Sequence, residues 1–404
     1  MQRPVARETM AAPKLPTGPL LAAVLLSLGG AVGLGFGRFA YALMLLPMQR
    51  DLGWSYADSG LASSANALGY LLGVLSLGLV IARLGAPNTV RLGMTLTSLS
   101  LLATGMTDSF ALLLILRLLA GLGAGLVYIG GAPLVVQLIP VASVLPLAIY
   151  YTGPGLGMLL SGLAIPPIIA TGSWQLAWVA MGLASLLAFA LMERPIRLAA
   201  HATARGAAPR QNSSFVLADY QRVWPTALAF VLFGLGYIGY MTFSVAYLVE
   251  SGVAPGLAQI FFVILASSTA ASGLFWGALS VRLTPRQALL AILSTLAVGA
   301  LLPVLAPAAW SFVASAVLFG GTFLALIAAI TRQVRTVVAA ERWAAVVGNV
   351  TVLFATGQLI GPTLTGLIAD LPGGLALGLS LSGGLLALAA LVVGLGPEPR
   401  KGTD

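Results

Sequence analysis

The chain has 404 residues, of which 59% are hydrophobic and only 8% carry charge, against roughly a quarter charged in an ordinary soluble domain. The mean hydropathy is +1.01, and apolar runs long enough to cross a bilayer, about 20 residues each, recur along the chain. This composition excludes a soluble globular protein and indicates an integral membrane protein. The absence of cysteine excludes disulfides and thiol chemistry.

The apolar runs predict twelve transmembrane helices, because barrel strands would be about ten residues long with alternating polarity. The predicted spans are approximately 19–46, 57–81, 89–106, 109–137, 145–170, 173–193, 223–249, 256–281, 287–306, 309–331, 343–369 and 373–395. The first run is too long for a signal-peptide core and lacks a cleavage site at a suitable distance, so we expect it to stay attached. The predicted fold class is an all-α integral membrane protein.

The positions of the basic residues predict which helix ends face the cytoplasm. If both termini lie inside, seventeen of the 20 Lys and Arg fall on the inner side, and Arg50 falls outside. Bases scattered over loop ends orient helices and contact anionic lipid head groups. The net charge of +9 therefore does not indicate nucleic-acid binding, and we expect both termini to be cytoplasmic.

The longest polar stretch, residues 193–222, separates six predicted helices from six and contains the only histidine, His201. Its composition is typical of a flexible linker. A weak repeat accompanies this division, because GLGFGRFAY at 33–41 aligns with GLGYIGYMT at 234–242, and GLVIARL at 78–84 aligns with GALSVRL at 277–283. Two six-helix bundles related by pseudo-symmetry around a midplane cavity are typical of transporters. The predicted divisions are a cytoplasmic tail (1–18), a six-helix bundle (19–193), a cytoplasmic linker (194–222), a second bundle (223–396) and a cytoplasmic tail (397–404).

Four short motifs rich in glycine lie on the predicted helices or directly after them. They are Gly78, Arg83 and Gly85 after predicted helix 2; Arg117, Gly121 and Gly123 in helix 4; Gly153, Pro154 and Gly157 in helix 5; and Gly361 with Pro362 in helix 11. Together they resemble the motifs of the major facilitator superfamily, and the opening GFGRFAY followed by DLGWS resembles its YbfB/YjiJ-like bacterial branch. Ala82 stands where the superfamily's loop motif has an acid.

The resemblance implies transport by alternating access, with the motif residues at conformational or gating positions. Gly277 and Arg282 join this set as the counterparts of helix 2 residues in the second half. Small residues permit close helix approach and kinks, so packing alone is an alternative role for each glycine. Because the acid of the loop motif is missing, any charge latch must use Arg83, Arg282 and helix ends, or be weaker than in other members of the superfamily.

Two arginines interrupt the apolar runs, Arg38 in predicted helix 1 and Arg117 in predicted helix 4. A charge in the hydrocarbon core costs at least about 2.5–3.5 kcal/mol on insertion scales, so it faces the bundle interior or water and has a partner or a function. The resemblance places helices 1 and 4 at the cavity, where two guanidiniums suit a carboxylate, which arginine binds bidentately. The alternative is a structural role, in which the arginine caps carbonyls of a neighbouring helix.

All eleven acidic residues lie in predicted loops, tails or helix ends. The two arginines therefore have no carboxylate partner at their depth, and an anionic substrate is the natural compensation. The same pattern argues against proton coupling through a buried carboxylate. Exchange, facilitated diffusion, and protons carried by the substrate or by Asp51, Asp58 and Asp108 at the outer mouth all stay open.

Six further polar residues complete the predicted substrate-binding set around Arg38 and Arg117. They are Tyr41, Asn66, Tyr70, Tyr237, Tyr240 and Gln358. Tyr41 lies one helical turn from Arg38, and Tyr237 and Tyr240 align with Phe36 and Phe39 by the repeat. Packing with a satisfied hydroxyl is the alternative for each tyrosine.

The sequence predicts a secondary active or facilitative carrier of a small organic anion in a bacterial inner membrane. We expect a monomer whose partners are membrane lipids and the substrate, with no cofactor and no metal site. An enzyme is excluded because no cysteine or buried acid, and no histidine outside the linker, is present to act as nucleophile, base or metal ligand. The alternative is an efflux antiporter for drugs or lipophilic metabolites, because GPGLG in helix 5 resembles the antiporter motif. Carriers of cationic lipophiles, however, use buried acids.

Overall fold

The structure is a computed structural model that describes residues 17–138, 145–203, 217–253 and 256–396. Over these residues it contains helices and turns, without strands. The first six long helices are α1 (Thr17–Gly30, Ala31–Phe39 and Tyr41–Leu52), α2 (Tyr56–Leu84), α3 (Ala86–Thr104), α4 (Phe110–Leu138), α5 (Leu145–Tyr151 and Gly153–Thr171) and α6 (Trp174–Thr203). The second six are α7 (Leu217–Glu250), α8 (Leu257–Ser280), α9 (Pro285–Leu305), α10 (Ala309–Gly320 and Ala325–Val337), α11 (Trp343–Ala369) and α12 (Gly374–Leu395).

Within the described ranges, eleven of these helices are long and apolar enough to cross a membrane, and α3 is the one that is not. The less apolar α3 buries threonines and serines against its neighbours. The prediction of an all-α, multi-pass membrane protein is thus confirmed. The predicted tail residues 1–16 and 397–404 lie outside the described residues.

Local sequence sets where the helices begin and end. α2 begins with a capping box in which the Asp58 backbone N–H donates to the Ser55 hydroxyl and the Ser55 N–H donates to the Asp58 carboxylate. Gly85 ends α2 with a φ of 78°, a backbone conformation that favours glycine. The loop motif therefore needs Gly85 for the turn itself.

The linker between the halves is shorter than predicted, because α6 extends ten residues beyond 193 and α7 begins at Leu217. Glu193 accepts hydrogen bonds from Arg197, one turn later in α6, and from Arg91 of α3. This pairing and the following alanines, which are strong helix formers, extend the helix. Residues 204–216, the middle of the predicted linker, lie outside the described residues.

The helices pack as two six-helix bundles whose contacts repeat. In the first bundle α2 and α3 contact α4, α3 contacts α6, and α1 contacts α5 and α6. Six helices later, α8 and α9 contact α10, α9 contacts α12, and α7 contacts α11 and α12. The weak sequence repeat therefore corresponds to a repeated packing arrangement.

Because twelve helices alternate in direction, Thr17 and Gly396 lie on one side, here called the terminal side, and the opposite side is called the distal side. Between the bundles, α2 packs on α11 and α5 packs on α8. The closest approaches lie toward the distal side, where a Cβ on Gly60 would lie 2.4 Å from the Pro362 carbonyl oxygen and one on Gly366 would lie 2.3 Å from the Tyr56 carbonyl oxygen. Nearer the terminal side, a Cβ on Gly78 or on Gly277 would meet no atom within 4 Å.

Candidate functional site

Arg38 lies where the two bundles meet. Its side chain is 5% exposed, and its Nη2 donates a hydrogen bond to Gln358 Oε1 on α11 of the opposite bundle. The ring of Tyr70 on α2 lies against the guanidinium, with the Arg38 Cζ 5.4 Å from the ring centroid. The Tyr237 ring on α7 is linked to Arg38 through neighbouring rings, since it stacks on Phe323, which meets Phe39. The structure thus brings three of the predicted site residues into direct contact: Arg38, Tyr70 and Gln358.

One edge of the Arg38 guanidinium has an unused donor. Its Nε is buried and makes no hydrogen bond within the part of the chain that the structure describes. The carboxylates that pair with arginines in that same part are Glu193 and Asp219, both far along the chain from Arg38 and bonded to other arginines. A buried, ionised donor without an acceptor is costly unless an acceptor is supplied.

The backbone beside Arg38 is held by side chains of two other helices. Residues Ala31–Phe39 form a π-helical segment, in which the Ala40 N–H donates to the Gly35 carbonyl at 2.9 Å. The Gly37 carbonyl accepts from Arg117 Nη1 on α4 at 2.8 Å and from Asn66 Nδ2 on α2 at 3.2 Å. Such π-helical turns are frequent at functional sites. The arrangement fixes the backbone from which the Arg38 side chain projects.

Arg117 contacts the backbone next to Arg38, because its Nη1 donates to the Gly37 carbonyl at 2.8 Å. It is 2% exposed and enclosed by the Gly37 carbonyl and by the rings of Tyr41 and Trp178, whose centroids lie 4.6 Å and 5.6 Å from its Cζ. Carbonyl oxygens and aromatic faces satisfy much of a buried guanidinium. Arg117 Nη2, however, is buried and makes no hydrogen bond among the described residues, so the role of Arg117 as a substrate ligand stays a prediction.

Three other predicted ligands lie elsewhere. Tyr41 and Asn66 belong to the Arg117 cluster, since the Tyr41 hydroxyl donates to the Ser59 carbonyl and Asn66 Nδ2 donates to the Arg117 carbonyl at 3.0 Å. The Tyr240 hydroxyl bonds Ser315 on α10, inside the second bundle. Helical spacing placed these residues on candidate faces of their helices, and their observed hydrogen bonds join them to the Arg117 cluster or to the interior of the second bundle.

A wall of aromatic rings next to Tyr237 was missed by the sequence reading. The Tyr237 ring stacks with Phe233, Phe323 and Phe354, at centroid distances of 4.6, 5.9 and 5.9 Å and interplanar angles of 20° or less. Phe323 in turn meets Phe39, the neighbour of Arg38, at 5.5 Å. The spacing of Phe230, Phe233 and Tyr237 at one-turn intervals is the signal that would have indicated this wall.

A cluster of tyrosine rings joins α4 and α5 in the first bundle. Tyr128 of α4 stacks with Tyr150 and meets Tyr151 edge to face, at centroid distances of 6.1 and 5.9 Å. Beside Arg38 itself, the first bundle contributes the ring of Tyr70, and the second contributes Phe323 through its contact with Phe39.

The predicted gating glycines fall into two groups, those packed against the backbone of a neighbouring helix and those with open space around them. A Cβ on Gly121 would lie 2.0 Å from the Asn66 carbonyl oxygen on α2, and one on Gly123 would lie 2.6 Å from the Gly93 carbonyl oxygen on α3. Gly153 and Gly157, which flank Pro154, meet α1 carbonyls in the same way, and Gly361 meets the Leu235 carbonyl of α7. These glycines fit the close-packing alternative, whereas Gly78 and Gly277 have open surroundings and Arg83 and Arg282 are exposed.

An interaction between the bundles on the distal side was also missed. Asp370, at the end of α11, accepts hydrogen bonds from the backbone N–H groups of Tyr56 and Ala57 at 2.7 and 3.0 Å. The Tyr56 hydroxyl donates to Glu250 at the end of α7. A carboxylate is stabilised at a helix N-terminus because the unpaired N–H groups there carry partial positive charge. Both acids thus join the start of α2 to the opposite bundle.

A separate groove of about 620 Å³ lies between α9 and α12. Its lining includes Leu290, Ala297, Leu301 and Leu391, with Ser294 as a polar exception. It lies away from Arg38, and its hydrocarbon lining offers no complement to a charged solute.

Comparison with known proteins agrees with this architecture. The model of a family described as "Uncharacterised MFS-type transporter YbfB" matches residues 30–394. The probable anion transporter 4, chloroplastic, of Oryza sativa subsp. japonica is 30% identical over 161 residues, which cover 39% of this chain and only 27% of that relative.

Solved structures with the same fold include a bacterial homologue of the human lysosomal transporter Spinster in an inward-facing, unoccupied conformation. It has a TM-score of 0.69 and 18% identity, covering 94% of this chain and 97% of that one. The nucleoside transporter NupG has a TM-score of 0.72 and 14% identity, covering 94% and 99%. The family and these relatives are transporters and not enzymes. The chain belongs to the major facilitator superfamily, in the family of the uncharacterised MFS-type transporter YbfB.

Proposed function

We propose that this protein carries a small organic anion across the membrane by alternating access, with Arg38 as the anion-binding cation. The observation that carries the proposal is the Arg38 guanidinium, buried between the bundles with its Nε unpartnered. The similarity of part of the chain to a probable chloroplast anion transporter supports an anionic substrate.

Two ion pairs in this chain illustrate how its arginines bind carboxylates. Arg91 contacts Glu193 through Nε at 3.0 Å and Nη2 at 2.8 Å. Arg342 contacts Asp219 through Nε at 2.5 Å and Nη2 at 3.2 Å. Both carboxylates use the edge of the guanidinium formed by Nε and Nη2, a bidentate geometry that is stronger than a single bond. On Arg38 the Nε of this edge is free for a substrate carboxylate, while Nη2 donates to Gln358.

The position of Arg38 links binding to movement of the bundles. Its Nε is closed off from solvent between the two bundles, so an anion reaches it only when they separate at this level. Since Arg38 lies on α1 and its partner Gln358 on α11, an anion bound there changes the interaction between the bundles. Such differential binding is what shifts a conformational equilibrium.

We further propose that the terminal side is cytoplasmic, in a bacterial inner membrane, with the protein acting as a monomer among anionic lipids. Among the residues that the structure describes, most of the arginines lie on that side, as the positive-inside rule requires of a cytoplasmic face. The contacts of Asp370 and Glu250 with Tyr56 then close the outer side.

Replacing Asp370 by alanine is expected to loosen the distal closure. A carboxylate at an exposed helix N-terminus contributes about 0.3–1 kcal/mol, here to the state that is closed on the distal side. Without it, the population of the state that is open on the distal side should rise by up to about fivefold. Because the chain has no cysteine, Ser63→Cys supplies a single thiol on the α2 face that contacts Thr242 of the opposite bundle. We expect faster labelling of this thiol by an impermeant maleimide added on the distal side.

Asp108→Ala is the matched control, because Asp108 is a distal acid that contacts Gln175 of its own bundle. Labelling should stay unchanged in this variant. Equal labelling rates in the Asp370→Ala and parent backgrounds would show that Asp370 does not hold the distal side closed.

The proposed function is tested by uptake into proteoliposomes. The solutes to compare are radiolabelled isobutyrate, benzoate and succinate, a neutral nucleoside and a lipophilic cationic dye. We expect saturable uptake of at least one carboxylate. Transport of the dye with no carboxylate transport would instead support the efflux antiporter that the sequence left as an alternative.

A further inference from the structure

We infer that Gln358 is a specificity-determining residue, because its neutral amide holds the Arg38 guanidinium without cancelling the positive charge. The inference rests on the proposed anion transport and explains what keeps the site selective for anions. Gln358 Oε1 accepts a hydrogen bond from Arg38 Nη2, and both side chains are buried. Within the described ranges, the carboxylates that bond arginines are Glu193 and Asp219, and they bond other arginines. The charge of Arg38 is thus matched by an amide and not by a carboxylate.

A carboxylate in place of this amide would occupy the edge of Arg38 that the substrate needs. Glutamine and glutamate have the same length and shape, and differ in an amide nitrogen in place of a carboxylate oxygen. A glutamate at position 358 would therefore have its carboxylate at Arg38 Nη2, with the unpartnered Nε on the same edge. Glu193 occupies the corresponding edge of Arg91 through both nitrogens, and charge-assisted bonds of this kind are about twice as strong as neutral ones.

The backbone of α11 is firmly packed on both sides of Gln358. A Cβ on Gly357 would lie 2.5 Å from the Val231 carbonyl oxygen, and one on Gly361 would lie 2.4 Å from the Leu235 carbonyl oxygen. α11 therefore contacts the α7 backbone directly before and after Gln358. A substitution at this position changes the chemistry beside Arg38 rather than the path of the helix.

The neutral amide also affects the stability of the fold. A buried cation without a compensating charge is destabilising, and functional sites often retain such groups because activity requires them. Gln358→Glu should therefore raise the melting temperature of the substrate-free protein, since the new carboxylate pairs with Arg38. Gln358→Leu removes the acceptor and adds no charge, so it should lower the melting temperature and leave the Arg38 charge available to an anion.

The test combines thermal unfolding in detergent with uptake into proteoliposomes, using isobutyrate, benzoate and succinate. For Gln358→Glu we expect a melting temperature above that of the wild type. Its affinity for each carboxylate that the wild type takes up should be at least about tenfold lower, because the internal pair must first be displaced. Gln358→Leu should stay within about threefold of the wild-type affinity. Each of these carboxylates should raise the melting temperature of the wild type but not that of Gln358→Glu.

Gln287→Glu is the matched control for the same substitution elsewhere. Gln287 is an exposed member of the capping box at the start of α9, where it bonds Thr284. Glutamate serves equally well in a capping box. The melting temperature and the uptake of this variant should stay near the wild-type values.

The outcomes separate this inference from the proposed function. A melting temperature of Gln358→Glu at or below that of the wild type, including failure to fold, would overturn the inference. A loss of affinity below tenfold in Gln358→Glu, or an equal loss in Gln358→Leu, would overturn it as well. In each of these cases anion transport by the wild type stands. No uptake of any of the three carboxylates by the wild type would overturn both.

Discussion

Arg38→Ala is expected to abolish carboxylate uptake at substrate concentrations that saturate the wild type. Removing one partner of a buried, hydrogen-bonded charge pair costs roughly 2–5 kcal/mol in binding, so affinity should fall by at least about thirtyfold. Arg38→Lys should recover only part of the loss, because an ammonium keeps the charge but lacks the planar fork that binds a carboxylate bidentately. Uptake and equilibrium binding of the labelled carboxylate measure both effects.

Arg50→Ala is the control for loss of positive charge. Arg50 is exposed at the distal end of α1, on the same helix as Arg38, and its removal should leave uptake near the wild-type rate. Both variants must show the same elution profile and melting behaviour as the wild type. Retention of carboxylate uptake by a folded Arg38→Ala protein would exclude Arg38 as the anion-binding residue.

Gly121→Ala is expected to lower the stability of the fold strongly. A Cβ at this position would lie 2.0 Å from the Asn66 carbonyl oxygen, and the facing Gly69 would place its own Cβ 1.9 Å from the Leu118 carbonyl oxygen. These obstacles are backbone atoms, which cannot rotate away, so α2 and α4 must separate. Overpacking in a core typically lowers the free energy of unfolding by about 1–3 kcal/mol. Because this clash is with backbone, we expect a loss of about 3 kcal/mol or more.

Thermal unfolding in detergent, followed by loss of the monodisperse elution peak, measures this effect. Gly78→Ala provides the comparison, because no atom lies within 4 Å of the Cβ position at Gly78, and alanine in a helix is more favourable than glycine by roughly 0.5–1 kcal/mol. We expect a clear drop in melting temperature for Gly121→Ala and none for Gly78→Ala. Equal melting temperatures would contradict the close contact between α2 and α4.

Much of the fold could be predicted from the sequence, because bilayer thickness converts apolar run length directly into helices. The twelve spans and the six-helix repeat follow from run lengths, the central polar stretch and the recurring glycines. The ends of α6 and α7 could not be placed this way, since the Glu193 pairs with Arg91 and Arg197 extend α6 beyond its apolar run. The π-helical segment Ala31–Phe39 likewise depends on tertiary contacts at Gly37.

For the site, the sequence identified Arg38 because an unpaired charge in an apolar run is costly wherever it lies. It did not separate the environments of Arg38 and Arg117, because both arginines interrupt similar runs and only packing reveals that carbonyls and rings enclose Arg117. The contact of Asp370 with α2 spans more than three hundred residues, so no local pattern could indicate it.

The most direct test of anion binding at Arg38 is a crystal structure of the protein with 4-bromobenzoate, in which anomalous scattering locates the bromine. We expect the carboxylate within about 2.7–2.9 Å of Arg38 Nε, with the bromine placing the ligand between the two bundles. A carboxylate bound instead at the loop arginines, with Arg38 Nε bonded to a protein acceptor, would contradict the assignment of Arg38 as the anion-binding cation.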